Sequence, residues 1–459
     1  MMTANNEHDV RASSPSHSDQ TLQNGPPTTT GSFSDGSLEK GQQPQKPPAG
    51  GPPAMPPPPN GGLVAWLHVL GGFSLFFNTW GILNTFGVYQ TFYEQGALFK
   101  ASSSDISWIG SIQAFMVLLV GFFSGPVYDR GYFKSLVIVG SFGVVFGHMM
   151  LSICDQYWQV LLSQGFVVGI GAGCLFIPGI AILPTYFSTR LGLAIGLAAA
   201  GSSMGGIIYP VVFYRLIFVH GLSFGWSTRV IGFIALATLL VPIFCMRMRF
   251  KPPKARALID WKAFVDAQFM LFTVGTLIGF IGLYVMFFYV SYYAQQQQIT
   301  SAAMAFYIVP IFNAASTFGR TLPNALSDKT GPLNLIAPGG LICGVLVLSM
   351  LAVHTEAAII TVAILFGFFS GVFIALPPVC FVALTPDKSK IGTRIGMGFG
   401  IIGFGSLIGG PGAGAVLGHA EPLNWSAVWV LGGVTTAVAG VMFGVLRVWR
   451  GGTKLMVKV

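Results

Sequence analysis

Charge is what this chain lacks most. Only 8% of its residues are Asp, Glu, Lys or Arg, against about a quarter in a soluble domain. So little charge excludes an ordinary water-soluble globule. Acids are scarcer than bases, 15 against 24. Cysteine is sparse too. Cys154, Cys174, Cys245, Cys343 and Cys380 sit in or beside apolar runs, without disulfide or metal spacing, and read as small buried hydrophobes. No glycine-rich phosphate loop lies between a strand and a helix, and no nucleophile is grouped with a base. An enzyme is therefore not expected, and neither is a cofactor or a metal. No cleavable signal peptide is visible; the first apolar run begins near Leu63 and is expected to act as the insertion signal itself.

What the chain has is apolar length. Hydrophobic residues make up 53% of it and its mean hydropathy is +0.69. Runs at 63–92, 106–127, 134–153, 158–184, 190–215 and 226–247 precede a basic linker, and runs at 264–294, 301–326, 334–353, 358–384, 394–418 and 425–447 follow it. At ~1.5 Å per residue, each can cross ~30 Å of hydrocarbon as a helix. The ten-residue alternation of a membrane barrel strand is not seen. The expected fold is all-α, a polytopic membrane protein with twelve transmembrane helices in two six-helix halves. The domains are then a Pro/Ser-rich tail (1–60), a first bundle (61–247), the linker (248–263), a second bundle (264–450) and a short tail (451–459). The first tail cannot bury enough apolar surface to fold. It is either a solvated spacer or a ligand for a proline-reading partner.

An internal repeat supports two related halves. Residues 186–206 read YFSTRLGLAIGLAAAGSSMGG, and Arg190, Gly192, Gly196, Gly201, Ser202, Gly205 and Gly206 recur in spacing as Arg394, Gly396, Gly400, Gly405, Ser406, Gly409 and Gly410. Small residues at this spacing let helix backbones approach closely. A second repeat pairs GPVYDRG, at 125–131, with NALSDKTG, at 324–331.

Cations set the expected orientation. With the N-terminus in the cytosol, inner loops hold Arg130, Lys134, Arg190, Lys329, Lys388, Lys390 and Arg394. The linker region and C-terminal tail add ten more, and the outer side holds only Lys100, Arg215 and Arg229. The net charge of +9 is thus an insertion signal, and no nucleic-acid partner is implied. Asn424, in Asn-Trp-Ser, is a glycosylation sequon on the outer side.

All 15 acids fall outside mid-membrane, so the usual carboxylate relay of a proton pump is missing. His148, within the third span, is either a titrating group or a packed donor to a carbonyl. Arg320 stands out. It lies roughly 9 Å inside the eighth span by helix rise, where a cation costs at least ~2.5–3.5 kcal/mol unless hydrated or paired. It either faces a wet cavity and holds an anionic solute, or is a gate arginine bonded to carbonyls. Asn78, Asn84, Gln164, Tyr284 and Asn313 are candidate lining for the same cavity. By the repeat, Asp129 is expected to latch onto Arg394 at the start of the eleventh span, and Asp328 onto Arg190 at the start of the fifth. Arg130 lies beside the first latch.

These stretches resemble the major facilitator superfamily, and within it the fungal branch of the monocarboxylate transporter family. GGLVAWLHVLGGF and NTWGILNTFGVYQ, within 61–90, resemble its first-helix signature, and residues 186–206 its fifth-helix signature; GPVYDRG resembles the superfamily's loop after the second helix. The resemblance implies alternating access, with helices 1, 4, 7 and 10 lining the cavity. Departures are informative. Family members that carry lactate with a proton have an acid at the position of Asn60, a lysine at Asn84 and an aspartate at Ser316, while Arg320 is retained. Lactate–proton symport is therefore not implied. The expectation is a plasma-membrane carrier of a small organic solute, an organic anion or secondary metabolite, with export favoured and a proton or counter-solute as an open coupling partner. Uptake of a monocarboxylate or vitamin-like compound is the alternative. A non-transporting sensor signalling through the N-terminal tail is an alternative of another class.

Overall fold

The computed structural model describes residues 58–250, 255–418 and 422–453, apart from the side chains of Asp328 and Lys388. Among the described residues every regular element is helical, and twelve helices are long and apolar enough to cross a membrane. They are α1 (Leu63–Glu94), α2 (Ser103–Asp129), α3 (Phe133–Leu151), α4 (Tyr157–Thr185), α5 (Leu191–Val219), α6 (Phe224–Cys245), α7 (Ala267–Gln296), α8 (Ala302–Thr330), α9 (Leu333–Ala352), α10 (Glu356–Leu384), α11 (Ile391–Leu417) and α12 (Trp425–Gly451).

Side-chain oxygens start many of these helices by capping free amides. Ser102, Ser223, Asp266, Ser301, Thr355 and Asn424 each accept from the amide three residues on. Asn424 is exposed, but its carbonyl oxygen serves as the cap of α12, 3.1 Å from the Ala427 amide.

Packing follows the repeat. α1 packs on α5 and α7 on α11; α2 on α4 and α8 on α10; α3 on α6 and α9 on α12. Glycine permits the first two pairings. A Cβ on Gly205 would fall 2.5 Å from the Phe77 carbonyl of α1, and one on Gly409 would fall 2.5 Å from the Ile281 carbonyl of α7. The repeated small residues are thus the contact line of one helix pair, built twice. The seams between halves repeat as well, α2 with α11 and α5 with α8.

Several spans are interrupted, α5 among them, which passes into a π-helix over Arg215–Val219. α1 breaks at Thr79 and again at Thr85, α4 widens into a π-helix over Leu161–Val168, and α10 breaks at Leu376. Interrupted spans are where membrane carriers place their binding groups. The breaks in α1 flank Trp80–Asn84, and that segment meets the cavity described next.

Candidate functional site

A small, nearly filled cavity, with room for about one water, lies between the halves. α1 contributes Trp80, Leu83 and Asn84; α7 contributes Phe280, Leu283, Tyr284, Phe287 and Phe288; α10 adds Ile374. Aromatic faces dominate, with one amide and one phenol as polar handles, which suits a flat, partly apolar guest. Asn84 donates to Asn313 Oδ1 across the halves at 3.1 Å, so the two candidate amides meet.

Arg320 is 3% exposed. α8 runs to Thr330, beyond the expected end near 326, so Arg320 lies about 15 Å from the helix end by rise. Its Nε donates to Ser316 Oγ at 3.1 Å, and Nη1 donates to Ser202 Oγ on α5. It takes part in none of the ion pairs among the described residues. Arg320 is not itself on the cavity wall, but it lies within electrostatic reach of Tyr284, which is. Ser316 and Ser202 thus leave a buried cation whose side-chain partners, among the described residues, are hydroxyls. A guanidinium bonded to two hydroxyls retains its full charge for an anion to meet.

Other candidates are used elsewhere. Asn78 donates to Thr238 at 2.8 Å and accepts from Tyr209 at 2.6 Å, and Gln164 accepts from Tyr93 at 2.8 Å. These bonds tie the first half together, and neither residue walls the cavity. His148 Nδ1 donates to the Val144 carbonyl at 2.8 Å, within its own helix. Asn60 accepts from the amides of Ser188 and Thr189 at 2.6 and 2.9 Å, which fixes the turn before α5 without an acid.

One end of the cavity is sealed by direct contact between halves. Phe86 of α1 and Phe288 of α7 lie 4.6 Å apart, centre to centre. Tyr289 bonds to Ser107 of α2 and donates to the Gly410 carbonyl of α11 at 3.2 Å. Gln95 donates to Gln295 at 3.2 Å, and Ser104 to the Pro411 carbonyl at 3.1 Å. None of these bonds was visible in the sequence, because each joins residues more than 120 positions apart.

At the other end the linker forms a strap that occupies the place of the expected latch. Asp129 does not meet Arg394. The linker residue Arg256 takes it, with Nε at 2.5 Å, Nη2 at 2.8 Å and its amide at 3.0 Å. Arg394 instead binds Asp260 and Asp266 at 3.1 and 2.7 Å, and Lys390 joins Asp260 at 3.0 Å. The expected pairing fails because the linker passes between α2 and α11 and supplies a partner to each. Gly125 and Gly392 make room there, both facing the Arg256 side chain. Two acids six residues apart beside a basic linker were the available signal. Arg130 and Arg190 are exposed, and the Asp328 side chain lies outside the described residues, as does any bond it makes to Arg190.

Charge exchange distinguishes the two pairings. Asp129→Ala and Arg256→Ala should each lower the stability of the purified protein by about 1.5–3 kcal/mol, the range for charged hydrogen bonds. Asp129→Arg with Arg256→Asp should recover part of that loss in thermal unfolding, whereas Asp129→Arg with Arg394→Asp should recover none.

The strap also has a pH signature. Burial works to raise the Asp260 carboxyl, but the bonds and charges of Lys390 and Arg394 outweigh it and hold the group below the ordinary Asp value. A carboxylate depressed by folding contributes stability above its unfolded pKa and loses it as pH falls through its folded pKa. The stability gap between the native protein and Asp260→Asn should therefore be constant from about pH 5 to 8 and shrink only below about pH 4. Thermal unfolding across that range measures it.

Known proteins agree with this architecture. The sequence profile described as Major Facilitator Superfamily matches residues 68–358. The chain is 66% identical over 381 residues to the MFS-type transporter dbaD of Emericella nidulans, covering 83% of this chain and 85% of that one. It is 34% identical to the aspyridones efflux protein apdF of the same organism, over 78% of this chain and 73% of the other. Among solved structures, a mutant of the nucleoside transporter NupG matches with a TM-score of 0.65 at 14% identity, over 83% of this chain and 99% of that one, a likeness of fold alone. Twelve spans, a doubled helix-packing motif and a cavity between two halves have their explanation here: the chain is a membrane transporter and belongs to the major facilitator superfamily.

Proposed function

We propose that this protein exports an organic anion or an acidic aromatic secondary metabolite across the plasma membrane by alternating access. The observation that carries the reading is Arg320, a buried guanidinium whose side-chain partners among the described residues are hydroxyls, beside an aromatic cavity. A solute with a flat ring system and an acidic group satisfies both features, the rings on Trp80 and the α7 aromatics and the acid toward Arg320. Asn84, Asn313 and Tyr284 supply the neutral polar contacts. The name of apdF, an efflux protein, supports export, and the first- and fifth-helix signatures support a place in the monocarboxylate transporter branch.

In this reading both termini and the linker are cytosolic, following the cation asymmetry. The Arg256–Asp129 and Arg394–Asp260 bonds form the inner gate, and the contacts around Tyr289 and Phe86 form the outer one. With Ser316 in place of an acid and no carboxylate at mid-membrane, the solute itself or a counter-solute carries the balancing charge.

Untargeted metabolite profiling tests the export claim. Cells lacking the gene should retain an acidic aromatic compound that the parent strain releases to the medium. Unchanged partition of every such compound between cells and medium would refute export.

A further inference from the structure

The strap between Ala255 and Asp266 turns its charges and its apolar side chains in opposite directions. Asp260 and Asp266 bind inward to Lys390 and Arg394, and Arg256 binds inward to Asp129. Ala263 is fully buried and seats the short turn Trp261–Val265 against the body of the protein. Trp261, Phe264 and Val265 point away from it, 75%, 44% and 84% exposed. The Trp261 and Phe264 rings are 5.9 Å apart, so the apolar surface is continuous. Exposed apolar groups of this size, on a strap otherwise engaged in ion pairs, are costly in water.

Two features indicate what covers them. α7 begins at Ala267, so the patch adjoins the end of a membrane span, and at the base of α12 Val448 and Trp449 are also exposed, at 48% and 57%. The patch therefore lies at the linker end of α7, the end at which α7 packs against the base of α12. The sequence around it is rich in cations as well. Lys262 is exposed between Trp261 and Phe264, and the segment follows a run holding Arg247, Arg249, Lys251, Lys254 and Arg256. Tryptophan with flanking lysine is the composition of an interfacial anchor, and clustered cations favour anionic headgroups.

We propose that Trp261, Phe264 and Val265 dock into the bilayer leaflet at the linker end, that anionic phospholipid strengthens the docking, and that the docked strap holds the clasp on α2 and α11. Lipid composition then biases the conformational cycle. Docking stands on the exposed patch alone; its effect on the cycle rests on the strap acting as the inner gate.

The test uses the full chain in nanodiscs of phosphatidylcholine, with and without phosphatidylserine. A nitroxide on Val265→Cys is compared with the unsubstituted protein treated identically. Collisions with oxygen should exceed those with a water-soluble nickel chelate, and phosphatidylserine should widen the difference. Free access to nickel overturns the docking. So does equal shielding from both reagents in nanodiscs and detergent, which would mean that a protein segment, such as residues 1–57, covers the patch. A second label pair, on Arg130→Cys and Ala257→Cys, reads the strap against α2. Phosphatidylserine should narrow its distance distribution, and Trp261→Ser with Val265→Ser should abolish the narrowing. If the label at Val265 is lipid-exposed yet this distribution ignores both lipid and substitution, the link to the clasp is wrong while the docking stands.

Discussion

Replacing Arg320 with alanine should reduce flux of the exported solute about ten- to a hundredfold. That range follows from one charged hydrogen bond, about 1.5–3 kcal/mol, at 1.4 kcal/mol per tenfold. Arg320→Lys should recover only a minor part. Lysine keeps the charge but loses the planar fork, which here reaches Ser316 and Ser202 on two different helices. Because Ser202 lies on α5 and Arg320 on α8, the guanidinium also crosses the seam between the halves. Solute-binding affinity separates the two roles. A binding arginine shows its loss in affinity, whereas an arginine that merely joins helices shows it in protein stability. Full flux in both variants would remove Arg320 from the site.

The largest effect on folding should come from the doubled glycine line. Gly205→Leu and Gly409→Leu are each expected to leave little folded protein. The atoms in the way are the backbone carbonyls of Phe77 and Ile281, which cannot swing aside as a side chain can. Even the single methyl of alanine requires the helices to part, at a typical overpacking cost of about 1–3 kcal/mol. Gly444 provides the control, since nothing lies within 4 Å of a Cβ built there. Size-exclusion profiles of the three leucine variants should show a monodisperse peak for Gly444→Leu and loss of that peak for the other two. Equal behaviour of all three would mean that the repeat is not a packing device.

This glycine line is also where the sequence was most legible. The span count, the two halves and the close approach at Gly205 and Gly409 all depend on local composition and spacing, which are carried along the chain itself. Arg320 was legible for a related reason: a cation in an apolar run is anomalous whatever surrounds it. What stayed hidden are contacts between distant segments. The repeat pointed Asp129 at Arg394, and each residue does anchor an ion pair, but with partners from the linker instead of each other. Repeat symmetry applies to the two bundles and not to the segment that joins them, which has no counterpart. Asn78 and Gln164 were indistinguishable from cavity amides by residue type, because a buried amide within a half and one between halves face the same need for a partner.

Opposed motion of the two ends of the protein tests the whole account most directly. Gln95 and Gln295 touch across the sealed end, and Arg130 and Ser389 are exposed on α2 and just before α11 at the linker end. Nitroxide pairs at these positions should report alternating access in lipid, with a population in which the 95–295 distance lengthens as the 130–389 distance shortens. Two fixed distances, or two that lengthen together, under every pH, lipid and solute condition would contradict a carrier whose halves rock about the cavity between them.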